Sequence, residues 1–186
     1  MEGTALAEGF EKILQQERAD SQQALIDYFH TYYQRVYNYI YYRVQGKYTA
    51  EDLTSQVFEK LMESLGKYDQ SRSPFEVWLF AVARNVVNDH YRKLKRQQFF
   101  SLEVVKGLTA KEGSAEDVVV QGDTHRELMD ALNTLSPREQ HLIALKYGAD
   151  LGNNEIAPLM NLTESHVGVI LHRAMGKLKK AMERMG

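Results

Sequence analysis

The sequence predicts an all-α protein: two small helical domains joined by a flexible linker, the second a helix-turn-helix. Three observations carry this expectation. Apolar residues recur at spacings of three and four along most of the chain, the mark of amphipathic helices. Strand signals are nearly absent, with no long alternating Val/Ile/Thr runs and no Asn-Gly hairpins, and only three prolines occur, at 74, 137 and 158. Between 98 and 123 the periodicity stops and Gly, Ser and mixed charge take over. So long a structureless stretch is uncommon inside a compact domain and reads as a linker. The expected organisation is a polar lead-in over 1–20, helical domains over 21–97 and 124–186, and the linker 98–123.

The first long helix starts near Ser21. Leu25, Tyr28, Phe29, Tyr32, Val36, Ile40 and Val44 form its apolar stripe, and seven of the eleven tyrosines fall between Tyr28 and Tyr42. Aromatic residues in this pattern read as core packing with amphipathic tyrosines at the margin. Gly46 is expected to end this helix, and Thr49 to cap the next, with Glu51 and Asp52 favouring the positive end of its dipole. Leu53, Val57, Leu61 and Leu65 repeat every fourth residue, which places Asp52, Gln56, Glu59 and Glu63 on the opposite, polar side. Gly66 breaks the pattern. Ser73-Pro74 reads as an N-cap followed by proline at the first helical position. Phe75, Trp78, Leu79, Val82 and Val86 then repeat at helical spacing. The end of this segment turns basic: from 84 to 97, five basic residues stand against Asp89, a net of +4.

In the C-terminal half, Leu128, Leu132 and Leu135 close one helix. Ser136-Pro137-Arg138-Glu139 carries a cap, a proline and a capping-box glutamate. Leu142, Ile143, Leu145 and Tyr147 follow, and Gly148 stops the pattern. Asn153 or Asn154 is expected to cap a short helix containing Pro158, which a helix tolerates only near its first turn. Asn161 fits the turn. Thr163 caps the last helix, with Leu162 and Val167 as a hydrophobic staple. Val167, Leu171, Ala174, Leu178 and Ala181 form its buried stripe. Short helix, tight turn, longer helix is the order of a helix-turn-helix, whose second helix enters the major groove by its N-terminal part. Ser165, Gly168, Val169 and His172 then face outward at the entering end, with Arg173, Lys177 and Lys180 placed for phosphates.

Several function classes are excluded or disfavoured. With no cysteine, disulfides and thiolate chemistry are excluded. The chain shows no secretory leader and no apolar stretch of about 18 residues, so the expected compartment is the cytoplasm and no membrane insertion is expected. Neither a phosphate-binding G-x-x-x-x-G-K-[ST] nor an H-E-x-x-H occurs. The six histidines are scattered, and His166 and His172 do not share a helix face. No enzyme activity, cofactor or metal is expected. Formal net charge is only −2, so any nucleic-acid signal lies in local charge and not in the average.

Four stretches together resemble the sigma-factor family: AEDLTSQVFEKLMESL at 50–65, FEVWLFAVARNVVNDHYRKLKR at 75–96, LNTLSPREQHLIALKYG at 132–148 and NEIAPLMNLTESHVGVILHRAMGKLKKAM at 154–182. More narrowly the chain resembles the extracytoplasmic-function (ECF) type, which keeps conserved regions 2 and 4. The resemblance implies a partner, core RNA polymerase, reached through the β′ coiled coil and the β flap. Asp52, Gln56 and Glu59 would dock on the coiled coil. The family's Gln-Glu is Ser55-Gln56 here, which makes this face less acidic. The resemblance further implies promoter DNA as ligand. Asn85 matches the base-reading position of the −10 element, with Arg84, Asn88, Arg92, Lys93, Lys95 and Arg96 along the single strand. Ser165, His166, Val169, His172, Arg173 and Lys177 would read the −35 element. Family members often carry Lys and Arg where this chain has Gly168 and Ile170, so −35 readout here would rely on shape and backbone. Trp78 matches a structural tryptophan. An anti-sigma factor is the further partner implied. Two other readings stay open at this point: a helix-turn-helix regulator of duplex DNA that never engages polymerase, and a sigma-like interaction protein without promoter activity.

Overall fold

A computed structural model of the protein describes residues 20–104 and 123–184. The lead-in and most of the expected linker lie outside the described residues. Seven α-helices occur among the described residues: α1 (Asp20–Val44), α2 (Lys47–Ser64), α3 (Phe75–Val104), α4 (Asp123–Asn133), α5 (Pro137–Ile143), α6 (Asn153–Met160) and α7 (Glu164–Met182). A 3₁₀ turn (Leu65–Lys67) follows α2, and a π-helical turn (Ala144–Gly148) follows α5. No strand occurs among the described residues.

The N-terminal unit packs α1, α2 and α3. Tyr32, Val36, Tyr39 and Ile40 meet Leu53, Val57, Leu61, Phe75, Leu79, Phe80 and Val86 in a core from which water is excluded. Burial of each such side chain contributes about 1.5–3 kcal/mol. The buried Tyr32 hydroxyl donates to the Glu76 carboxylate at 2.8 Å, so this polar pair enters the core satisfied. Trp78 is half-buried against Tyr68 and Phe75, a packing role as expected. The basic helix α3 runs to Val104, seven residues into the stretch read as linker.

Several local expectations need correction. Gln45, not Gly46, takes the left-handed conformation that ends α1, with φ 56°. Gly46 is the extended N-cap of α2, so Thr49, three residues on, already lies inside the helix, and no side chain caps it. Gly152, not an asparagine, starts α6, and its N–H donates to the Glu155 carboxylate at 2.6 Å. Pro158 is the sixth residue of α6, beyond the first turn. It is exposed, so the Asn154 carbonyl that loses its helical donor lies on a helix face open to water.

The C-terminal unit follows its caps closely. The Ser136 hydroxyl accepts from the Glu139 N–H, and the Glu139 carboxylate accepts from the Ser136 N–H at 2.9 Å. That carboxylate also accepts from Lys177 of α7 at 2.7 Å. The Lys177 hydrogen bond and those from Ser136 together hold the Glu139 carboxyl down at about 2, despite its burial. Asn161 closes α6 with φ 53°, and the Thr163 hydroxyl accepts from the His166 N–H at 3.2 Å. Val167, Leu171, Ala174 and Leu178 are buried, as their spacing predicts.

The two units dock on one another, which nothing in the sequence announced. The π-helical turn sits against α1, and α6 against α3. Gly148 is pressed so closely onto α1 that a Cβ there would lie 2.9 Å from the Tyr39 backbone. Arg35 donates to the carbonyls of Ala149 (2.7 Å) and Asp150 (3.4 Å) at the end of the π-helical turn. Arg84 donates to the Leu159 carbonyl in the last turn of α6. Both guanidinium groups thus meet the negative end of a helical segment. The side-chain amides of Gln45 and Asn133 pair in both directions at 3.0 Å.

Tyr39 and His141 meet inside this interface at 3.0 Å. Burial raises the Tyr39 phenol to about 12, even with Arg43 and Arg84 nearby. Burial, with help from the same two arginines, pushes the His141 imidazole down to about 3. Arg43 already donates to the Tyr39 oxygen at 3.4 Å. With Arg43 as one donor to its oxygen, the phenol can pass its one proton to Nε2 of a neutral imidazole, the form that burial of His141 favours. A free imidazole takes up a proton near its ordinary 6.5, whereas the docked one refuses it until about 3. Stability from this group is complete above the higher value and is lost as pH falls from it toward the lower one. Urea unfolding should show a loss of about 1 kcal/mol between pH 7.5 and 5.5. His141→Gln should remove most of that pH dependence; an unchanged slope in the variant would show that the imidazole is not held neutral.

Candidate nucleic-acid interface

Two basic faces were expected to bind nucleic acid, and each is built by a distinct device. The first lies on α3, where the apolar stripe commits one side of the helix to the core. Asn85, Arg92, Lys93, Lys95 and Arg96 are exposed on the remainder, and Asn88 is half-buried. Asn85, Asn88 and Arg92 line an open groove of about 650 Å³ together with Lys60, Glu63, Ser64 and Lys67 from the α2 side. Two amides flanked by cations suit an unpaired base with its phosphates. Amides can hydrogen-bond a base edge, and lysine and arginine neutralise the backbone. Asp89 pairs with Arg92 at 2.9 Å and with Lys60 at 3.8 Å. The Lys60–Asp89 pair joins α2 to α3 beside the groove, whereas Asp89–Arg92 lies within α3.

Lys60 and Lys67 were missed from sequence. Lys60 follows Gln56 by one helical turn on the polar face of α2, so the spacing could have found it. Lys67 lies in the 3₁₀ turn, whose direction no periodicity gives. A second groove of about 530 Å³ runs between α2 and α3 and is lined by Asp52, Gln56, Lys60, His90, Lys93 and Arg96 among others. It brings Asp52 and Gln56 together with two of the basic residues of α3. Gln56 donates to the Asp52 carboxylate at 2.7 Å. Glu59 is exposed on α2 but does not line this groove. Burial lowers the pKa of His90, against the pull of Asp52.

The second face is the N-terminal half of α7. The Thr163 cap and the buried Val167 and Leu171 fix the rotation of this helix about its axis. Ser165, His166, Val169, His172 and Arg173 are all exposed as a result. Val169, 43% exposed, offers the kind of apolar contact that a thymine methyl accepts. Ile170 is half-buried and packs on the core, so its position is structural and not a lost base contact. A Cβ at Gly168 would meet only the Asn153 amide at 3.5 Å, so this glycine is not demanded by crowding.

Two members of the expected sets have other partners. Arg84, expected along the single strand, is half-buried and spends its guanidinium on the Leu159 carbonyl. Lys177, expected on a phosphate, is bound to Glu139. Charge and spacing identified both as cations, but the acceptor each meets comes from a distant part of the chain. Among the described residues, no cluster of three or more His, Asp or Glu side chains could hold a metal ion. No helix among them is long and apolar enough to cross a membrane.

Residues 28–97 match sigma-70 region 2, and residues 131–180 match sigma-70 region 4. Among curated proteins, the chain is 33% identical over 175 residues to the ECF RNA polymerase sigma factor BldN of Streptomyces coelicolor. That alignment covers 92% of this chain and 65% of BldN, so the chain spans just under two thirds of that relative. It is 28% identical over 159 residues to the RNA polymerase sigma factor YlaC of Bacillus subtilis, covering 85% of this chain and 91% of YlaC. Among solved structures, the fold is similar to sigma factor RpoE in complex with the anti-sigma factor NepR from Bartonella quintana. There the TM-score is 0.67 at 18% identity, over 84% of this chain and 95% of that one. It is also similar to CnrH in complex with the cytosolic domain of CnrY, with a TM-score of 0.61 at 16% identity over 98% of this chain and 97% of that one.

Arg173 and Lys177 of α7 should separate cleanly by substitution. Arg173→Ala should leave the unfolding midpoint in place and lower the salt dependence of duplex binding by about one unit of log–log slope. Lys177→Ala should instead leave the buried Glu139 carboxylate short of a partner and destabilise the fold by about 1–3 kcal/mol. Thermal unfolding beside a salt titration of DNA binding reads both effects, and the assignment fails if the two variants exchange phenotypes.

Proposed function

Because the chain belongs to the ECF group of sigma-70-family RNA polymerase sigma factors, we propose that it binds core RNA polymerase, recognises and melts promoters, and starts transcription. The observation that carries this is the pairing of two different nucleic-acid faces in one chain. The groove around Asn85 and Asn88 suits an unpaired base, whereas the exposed edge of α7 suits a major groove. A regulator of duplex DNA has no use for the first face.

In this reading residues 21–97 are the region 2 unit, 98–123 the connector and 124–186 the region 4 unit. Asn85 reads a base of the −10 element, and Asn88, Arg92, Lys93, Lys95 and Arg96 follow the strand. Lys60 and Lys67 join them from the facing wall of the groove. Ser165, His166, Val169, His172 and Arg173 face the −35 element. This set holds little that can make bidentate contacts to guanine, so discrimination there rests on Val169, DNA shape and phosphate contacts. Asp52, Gln56 and Glu59 form the exposed face of α2 for the β′ coiled coil, and the region 4 unit engages the β flap. The protein contributes no catalysis of its own, and it works in the cytoplasm, where polymerase and promoter are. An anti-sigma factor is its expected antagonist, in keeping with the NepR and CnrY complexes of its structural neighbours.

Pull-down of purified bacterial core RNA polymerase tests the reading. Wild type should retain core enzyme, and Asp52→Lys with Gln56→Lys should reduce retention at least about tenfold, since charge reversal at a docking face costs more than about 1.4 kcal/mol. Failure of the wild type to bind core enzyme would sink the proposal.

A further inference from the structure

Asn153 begins α6 but does none of the work of starting it. Gly152 is the N-cap, and the Glu155 carboxylate accepts from its N–H at 2.6 Å. The Asn153 carboxamide takes no part in that arrangement. Its Oδ1 is buried without a hydrogen-bond partner, the one such side-chain atom among the described residues. A buried amide oxygen left unpaired costs stability, and asparagine is a poorer helix former than alanine. Packing and capping therefore give no reason for an asparagine at this position.

The other end of the amide has a direction. Nδ2 lies 3.5 Å from the point that a Cβ on Gly168 would occupy. Gly168 is half-buried and stands at the margin of the exposed edge of α7, three residues after Ser165 and four before His172, both of them exposed. Residues three and four apart are neighbours on a helix surface, so these three share one strip. A long side chain at 168 would fill that strip. Glycine leaves it open, with the amide nitrogen of the neighbouring helix beside it. Glycine also weakens a helix interior, and crowding does not demand it here. Two residues that each disfavour the fold thus meet at one point, on the surface that faces the −35 duplex in the proposed function.

We propose that Asn153 and Gly168 together make a hydrogen-bond donor site for the −35 duplex: the glycine clears the approach, and the Asn153 side chain supplies from α6 the polar contact that position 168 of α7 does not. The inference rests on the promoter-binding function proposed above and adds to it a residue outside the recognition helix. With Oδ1 turned into the fold, the group on offer is the NH₂, a donor only. It takes an acceptor on the duplex, either a phosphate oxygen or a base-edge acceptor in the major groove. A neutral amide displaces no counterion, so this contact adds affinity without adding to the salt dependence that Arg173 sets.

The test uses the full chain with bacterial core RNA polymerase. Wild type first selects duplexes from a pool with a randomised −35 region. If it binds and enriches none, the promoter-binding function falls and this inference with it. On the selected duplex, Asn153→Ala should lose about three- to tenfold in affinity, the worth of one net hydrogen bond. Its salt slope should match that of wild type, and its unfolding midpoint should stay or rise. An Asn153→Ala protein that binds as wild type does overturns the proposal and leaves the function standing. So does one that loses stability together with binding, the mark of a packing residue. Gly168→Leu covers the amide from the α7 side and should lose affinity to a similar extent, with far-UV circular dichroism confirming that the helices persist. The double variant should then bind no worse than either single one, and additive losses would overturn the pairing. Repeating the selection with Asn153→Ala separates the two acceptors, each in keeping with the donor role. Preference relaxed at one base pair marks a base edge, and unchanged preference at uniformly lower affinity marks a phosphate.

Discussion

Two arginines of one helical unit neutralise the ends of two helical segments in the other, and the rest of the molecule's arrangement follows from that exchange. Helix C-termini expose carbonyls without partners and carry a partial negative charge. In the region 4 unit two such ends lie on one side, after the π-helical turn and after α6. Arg35 meets the first and Arg84 the second. Arg35 also stacks over the Tyr32 and Phe80 rings, 5.2 and 5.7 Å from their centroids, so its guanidinium is held in place before it meets its acceptor. A lysine could supply the charge but not this flat, stacked, forked donor. Gly148 then allows helix and turn to approach until Tyr39 and His141 close the seam.

The seam need not be strong. Two units on one chain meet at an effective concentration in the millimolar range for a short connection. A contact that would be negligible between separate molecules can therefore dominate within one. The polar, hydrogen-bonded character of much of the seam fits this regime. Water can replace the Gln45–Asn133 amide pair and both arginine caps, at modest cost, when the units part.

Local chemistry was legible in the sequence and distant chemistry was not. The capping box at Ser136 and Glu139, the left-handed Asn161 and the Thr163 cap all depend on residues within four positions of one another, and the sequence displays them side by side. The apolar stripe of α7 fixed which residues face outward, and the five expected at its entering edge besides Lys177 are exposed. Thr49 and Asn153 looked like caps for the same reason, but Gln45 and Gly152 turn the chain earlier than composition suggests. Arg84 and Lys177 illustrate the deeper limit. Each carries the charge and helical position of a phosphate ligand, and each meets an acceptor 75 and 38 residues away respectively. Nothing in either local sequence distinguishes a cation reserved for DNA from one consumed by the fold.

That ambiguity is physically reasonable, because one kind of side chain suits both kinds of acceptor. A guanidinium buried at a seam must find a carbonyl or carboxylate, because an unpaired charge there is costly. A guanidinium on an exposed nucleic-acid face finds phosphate oxygens instead. Both acceptors present oxygen lone pairs, and the forked N–H donors of arginine suit either. Arg84 therefore carries a guanidinium that would suit a phosphate and spends it on the Leu159 carbonyl. The carboxylate partner of Lys177, by contrast, lies in its own unit, is buried, and is already held by the Ser136 cap. Of the two cations with partners inside the fold, only Arg84 has its acceptor in the other unit.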